Sequence, residues 1–171
     1  MAETSARSAT VPVAAAPAET QLLVDRFNAL YGSLLDDGDY EGWVGLFMPD
    51  CLYKVIPREN FDAGLPLATM ALEGEGMLRD RIYGITNTLF HAPYYQRHVI
   101  GVARVLEDDG TAIRAAANYA VFRTKPGSVS EVYNVGRYHD RFVRTADGLR
   151  LQERLCVFDS ELILNSLIYP I

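Results

Sequence analysis

Residues 96–159 read QRHVIGVARVLEDDGTAIRAAANYAVFRTKPGSVSEVYNVGRYHDRFVRTADGLRLQERLCVFD, and three turn signals divide them. Asp108-Asp109-Gly110, Lys125-Pro126-Gly127-Ser128 and Ala146-Asp147-Gly148 separate four runs, approximately Gln96 to Leu106, Thr111 to Thr124, Ser130 to Arg144 and Leu149 to Asp159. Each run is roughly 10 to 14 residues long against a usual strand of about 5 to 6, so the sheet must bend strongly or be propped from one side. In the first run Val99, Ala103 and Val105 alternate with Ile100, Val102 and Leu106, so both faces carry apolar residues and both ask for cover. Ahead of these strands lie mainly helical patterns. Helices first and a long antiparallel meander last define an α+β fold.

Working back from the meander, Thr20 is placed to cap a helix bearing Leu23, Phe27, Leu30, Tyr31 and Leu34 at three- and four-residue spacings, closed by Asp36-Asp37-Gly38. Asp39 caps a second, short helix with Trp43, Leu46 and Phe47 on one face, ending near Pro49. Cys51 to Ile56 reads as a strand halted by Pro57, and Arg58 to Thr69 as a loop. From about Leu72 to Leu89 the period is helical again. Leu78, Ile82, Ile85 and Leu89 form a narrow stripe, with Arg81 at its margin and Asp80 on the opposite side. Helices followed by a curved sheet make a cone that wraps helices in its concave face and opens at one end, a geometry that favours ligand pockets.

The chain has 171 residues, of which 49% are hydrophobic, enough for one buried core. Residues 1–18, rich in Ala, Pro, Ser and Thr, read as a flexible arm without the apolar centre of a signal peptide, and 19–171 as a single domain. With 22 acidic against 16 basic residues the net charge is −6, the wrong sign for a nucleic-acid binder. No stretch approaches the ~18 apolar residues of a membrane span. The closing residues Leu162-Ile163-Leu164 and Leu167-Ile168-Tyr169-Pro170-Ile171 are too apolar to be left in water. They read as docked, within the subunit or against another.

Candidate chemistry is sparse. Asp140 alternates in phase with Tyr138 and Phe142, and Glu153 with Leu151 and Leu155, so each carboxylate could sit among apolar neighbours that raise its pKa toward that of a general base. The structural reading pairs them instead with Arg137, Arg141, Arg150 or Arg154. His91 and His98 lack the spacing of a zinc pair, and Cys51 and Cys156 stand alone at the two ends of the folded region, as buried free thiols do. His98 suits a structural histidine hydrogen-bonded near the start of its strand, and His139, between Arg137 and Arg141 on one face, suits solvent or an interface.

Taken in order, Met77-Leu78-Arg79-Asp80-Arg81-Ile82, Tyr95-Gln96-Arg97-His98-Val99-Ile100-Gly101, Gly136-Arg137-Tyr138-His139-Asp140, Leu151-Gln152-Glu153-Arg154 and the closing Tyr169-Pro170-Ile171 resemble the small (β) subunit of aromatic-ring-hydroxylating dioxygenases. The resemblance runs from about Thr20 to the end, and the segment from Arg58 to Ile82 is most similar to the branch acting on benzoate-type acids such as salicylate, anthranilate or terephthalate. It implies a nuclear-transport-factor-2-like cone, and a subunit without an active site of its own. A large (α) partner would hold a Rieske two-iron cluster and a mononuclear iron. It also implies β–β contacts in a cytoplasmic hexamer of three α and three β chains. This chain has neither the Cys-x-His element of a Rieske centre nor a 2-His-1-carboxylate set. Under this reading Asp80, Arg81, Arg97 and His98 shape an interface or hold the monomer together, and the chain binds no metal or cofactor. The competing reading keeps the cone but makes it a free-standing dehydratase or isomerase, with Asp140 or Glu153 as base and His98 and Tyr53 nearby. An open, polar cone favours that enzyme, and a cone filled by side chains favours the subunit.

Overall fold

The computed structural model describes residues 16–160 and 167–171, so most of the arm expected for residues 1–18 and part of the apolar closing stretch lie outside the described residues. Helix α1 (Ala18–Asp37) begins after Pro17, two residues before the expected cap. Thr20 lies inside its first turn and donates instead to Asp108 Oδ2 at 2.7 Å, which ties the helix start to the sheet. At the other end Gly38 adopts φ 74°, a left-handed cap that glycine takes without steric cost. Asp39 then caps α2 (Tyr40–Val44) as expected, its carboxylate accepting from Gly42 N.

Strand β1 (Phe47–Pro57) is longer than the expected Cys51–Ile56. The expected loop contains a short helix α3 (Arg58–Asp62), and the expected long helix starts late. Met70–Glu73 forms strand β2, with Met70 and Leu72 buried and Ala71 and Glu73 exposed, the period of two that belongs to a strand. Gly74, at φ 77°, turns the chain into α4 (Gly74–Tyr83), whose Leu78 and Ile82 face the core, and a π-helical turn at Gly84–Thr88 carries Ile85.

Strands β3 (Tyr95–Ile100), β4 (Arg104–Asp108), β5 (Ala112–Thr124), β6 (Glu131–Thr145) and β7 (Gly148–Phe158) follow. The expected first long strand is therefore two. Its break at Gly101–Ala103 has a specific cause, since Asp25 on α1 takes the Ala103 N–H at 2.9 Å and pulls the chain away from β5 before β4 pairs with it again. The three turns fall where expected, with Gly110, Gly127 and Gly148 all at positive φ.

The sheet runs β2-β1-β7-β6-β5-β3, with β4 also on β5. The meander is antiparallel, but β1 lies parallel to β7, so the whole sheet is mixed. Register shifts in the β1–β7, β4–β5, β5–β6 and β6–β7 pairings bend it. Helix α1 packs in the concave face through Val24, Phe27, Tyr31 and Leu35, with the Phe27 and Phe142 rings edge to face at 5.1 Å. No helix among the described residues is long and apolar enough to cross a membrane.

Candidate functional site

The concave interior is where this architecture could hold a ligand. Its polar centre is an ion pair. On β6 the alternation brings Tyr138, Asp140 and Phe142 inward, as the sequence indicated. On β7 Arg154, Cys156 and Phe158 turn inward. Arg154 is fully buried and donates to both oxygens of Asp140, Nε to Oδ1 at 2.8 Å and Nη2 to Oδ2 at 2.7 Å, while Nη2 also reaches Asn28 Oδ1 on α1 at 2.6 Å. The guanidinium carbon stands 4.0 Å from the Tyr31 ring centre and 4.2 Å from that of Tyr138. Burial by itself would depress the Arg154 pKa, but the Asp140 charge and its hydrogen bonds override it, so the guanidinium stays protonated. Asp140 is thus a bidentate anchor with no oxygen free of Arg154, not a poised base.

Glu153 does not join it. A bulge between the Arg141–Glu153 and Phe142–Leu151 pairs inserts Gln152 and reverses the phase of β7, so Glu153 shares the outer face of the sheet with Leu155 but not with Leu151. There it lines an outer groove of about 850 Å³ together with Phe61, Arg114, His139 and Arg141. His139 lies on that face as expected, its ring 4.9 Å from Phe61, and burial together with Arg137 lowers its pKa. His98 sits on β3 against α1, where its Nδ1 contacts Asp36 Oδ1 at 2.6 Å and its backbone N–H donates to the same carboxylate. Arg97 reaches Asp36 from outside at 3.3 Å. Asp140, Glu153, His98 and Tyr53 therefore have four different surroundings, and the structure does not bring them together as an acid-base set.

Tyr53 belongs to the plug of the cone. Ile171 is fully buried, its backbone oxygen accepts from the Tyr31 hydroxyl at 2.6 Å and the Tyr53 hydroxyl at 3.1 Å, and its N–H donates to Tyr53 Oη at 2.8 Å. Cys156 Sγ lies 3.6 Å from the same oxygen. Arg81 Nη2 holds the carbonyls of Leu167, at 2.7 Å, and Ile168. Tyr169 packs at the mouth against Tyr40, His91 and Tyr94, with ring centres 6.1, 5.1 and 4.7 Å away. The described part of the closing segment, residues 167–171, is thus docked within its own subunit and fills this part of the interior. Burial drives the Tyr31, Tyr53 and Tyr138 hydroxyls far above their ordinary pKa, so all three remain neutral.

Of the four proposed structural or interface residues, Arg81 and His98 make contacts inside the chain, Arg97 is largely exposed, and Asp80 is exposed with no side-chain partner among the described residues. Sequence reasoning passed over Asn28 and Tyr31 as site residues. Asn28 had left a signal, being a polar residue at the i+4 position from Val24 on the buried side of α1. All three histidines and both cysteines are described, and among the described residues no three His, Cys, Asp or Glu side chains gather as metal ligands do. Cys51 and Cys156 are both buried and free.

A helix-filled, mixed-sheet cone of this kind is the SnoaL-like class, and the family model for the SnoaL-like domain matches residues 17–155. The chain is 36% identical over 138 residues to the small subunit of anthranilate 1,2-dioxygenase from Burkholderia cepacia, covering 80% of this chain and 85% of that one. It is 31% identical over 140 residues to the β2 subunit of the terminal oxygenase component of terephthalate 1,2-dioxygenase from Comamonas, covering 82% and 91%. A solved structure from Novosphingobium aromaticivorans, assigned as the β subunit of an aromatic-ring-hydroxylating dioxygenase, superposes with a TM-score of 0.83 at 40% identity over 90% of this chain and 98% of that one. Within the SnoaL-like class, this chain belongs to the small (β) subunits of aromatic-ring-hydroxylating dioxygenases.

Proposed function

We propose that the chain is a structural subunit of a cytoplasmic ring-hydroxylating oxygenase, and that it stabilises a large partner which carries the Rieske cluster and the mononuclear iron. The observation that carries this reading is the filled cone: the Ile171 backbone occupies the Tyr31 and Tyr53 hydroxyls, and Arg154 occupies both oxygens of Asp140. The reading fits the described residues, among which no metal-binding cluster gathers, since the iron then resides in the partner. An aromatic carboxylate is the proposed substrate class, as two of the relatives are by name subunits of an anthranilate and a terephthalate dioxygenase. In this reading three small and three large subunits associate, and Asp80 and Arg97, both exposed, lie at subunit contacts. No observation favours the free-standing dehydratase or isomerase, because Asp140 is held by Arg154, Glu153 lies on the outer face away from His98 and Tyr53, and Ile171 fills the interior.

The test is expression of the chain alone and together with the large subunit encoded beside it. The expected result is an iron-free lone chain without turnover, and a co-purifying complex that contains iron and consumes oxygen with a benzoate-type acid. Turnover by the lone chain, or failure of the two to associate, overturns the reading.

A further inference from the structure

The way Ile171 is held carries an inference independent of the oxygenase assignment. One residue engages a dedicated polar site: the Tyr31 hydroxyl donates to its oxygen, and Tyr53 both donates to that oxygen and accepts from its N–H. Two tyrosine hydroxyls converging on one oxygen inside an apolar chamber are the recognition chemistry of a small-molecule pocket, which pairs a mostly apolar wall with a few placed polar groups. The wall is aromatic, with Trp43 packed edge to face on Tyr53 at 5.5 Å and Tyr138 beside Tyr31 at 5.9 Å. The segment satisfies this chamber incompletely. Among the described residues the Tyr138 hydroxyl is buried without a hydrogen-bond partner, an unfavourable state for a polar group in an apolar wall. The contacts that keep the segment in place are discrete: one guanidinium on two carbonyls, and one tyrosine ring among three others at the mouth.

We infer that the cone retains a binding site for a single-ring aromatic molecule carrying a hydroxyl or carbonyl oxygen, that Tyr169–Ile171 occupies it as an intramolecular ligand, and that such a molecule binds by displacing this segment. The oxygen takes the place of the Ile171 backbone oxygen between Tyr31 and Tyr53, and the ring takes the place of the Pro170 and Ile171 side chains, both buried here. Because the site is occupied most of the time, the apparent affinity of the whole chain is reduced by the fraction of molecules in which the segment is out.

The probe is 4-nitrophenol, and the reporter is the fluorescence of Trp43, the sole tryptophan. The variant Arg81→Met with Ile171→Ser, in the full chain, removes the clamp and the apolar anchor. It is expected to show saturable quenching at least tenfold tighter than the unsubstituted chain, and adding Tyr31→Phe and Tyr53→Phe is expected to weaken that binding at least tenfold. A variant that keeps its near-ultraviolet circular dichroism yet shows no saturable quenching overturns the inference, as does binding indifferent to the loss of both hydroxyls. Should the variant not fold, amide exchange on the unsubstituted chain decides the matter. Millimolar 4-nitrophenol should speed exchange at the Ile171 N–H by stabilising the displaced state, and an unchanged or slowed rate overturns the inference.

Discussion

Arg154 shows how far one residue's surroundings determine its role. A charge with no solvent exposure persists because Asp140, Asn28 and two tyrosine faces replace its water. Asp140→Ala strands that charge, and the expected loss is about 3 to 5 kcal/mol of unfolding free energy in urea. Asp140→Leu with Arg154→Met should lose much less than the sum of the single changes, since it removes both charges and keeps apolar volume. Additive losses would show that the two side chains do not act as a pair. Beside them, burial pushes the Cys156 thiol up to about 12, against the opposing pull of Arg154, and burial also raises Cys51. At about pH 8 on the order of one Cys156 in 10⁴ is then thiolate, which leaves almost no nucleophile. Ellman's reagent should find no fast-reacting thiol in the native chain and two in denaturant, and one fast native thiol would contradict the burial of this corner. The sequence made Asp140 legible through its phase with Tyr138 and Phe142. Which of four arginines it meets was not legible, because the bulge at Gln152 resets the phase of β7 and a simple alternation cannot see it.

At the scale of the elements, Gly136 of β6 lies tight against β7, where a Cβ would stand 2.8 Å from Phe158 Cα, 2.9 Å from the Tyr119 hydroxyl and closer still to the Val157 carbonyl. Backbone on one side and a buried ring on the other leave nothing free to yield. Gly136→Ala is therefore expected to cost about 3 kcal/mol or more, as overpacking in a rigid place does. Gly76, inside α4 with nothing within 4 Å of its Cβ position, supplies the control. Gly76→Ala should add about 0.5 to 1 kcal/mol by restricting the unfolded chain, and equal effects at the two positions would sink the argument from close approach. The same contrast between local and distant causes explains what could be read beforehand. The hairpin turns were legible because Gly110, Gly127 and Gly148 act within their own neighbourhoods. The division of β3 from β4 was not, since Asp25 reaches Ala103 from far earlier in the chain. Nor was the parallel pairing of β1 with β7, which depends on where the completed meander leaves an edge.

For the whole molecule, a filled interior moves the functional surface to the outside, where Tyr83, Leu89, Tyr95 and a fully exposed Phe90 lie close in sequence at the end of α4 and the start of β3. Large apolar side chains left in water on one segment mark a place where another protein covers them. Phe90→Asp is expected to leave the unfolding free energy of the lone chain within about 0.5 kcal/mol, as exposed substitutions do, while it reduces co-purification with the large subunit. Unchanged co-purification would place the interface elsewhere. Asp80 and Arg81, neighbours on α4, should then separate by mechanism. Asp80→Ala removes an exposed charge without a side-chain partner among the described residues, so it should lower complex mass and spare the lone chain. Arg81→Ala strips the clamp from Leu167 and Ile168 and exposes the cone, so it should destabilise the lone chain first and the complex as a consequence. Gel filtration with activity measured per intact complex distinguishes these outcomes from a catalytic one. Both variants are expected to retain full specific activity in whatever complex survives, because the proposed reading gives neither side chain a part in acting on the substrate. A hundredfold fall in that specific activity at unchanged mass would assign the residue to catalysis or electron transfer, and with it the purely structural role of this subunit would fail.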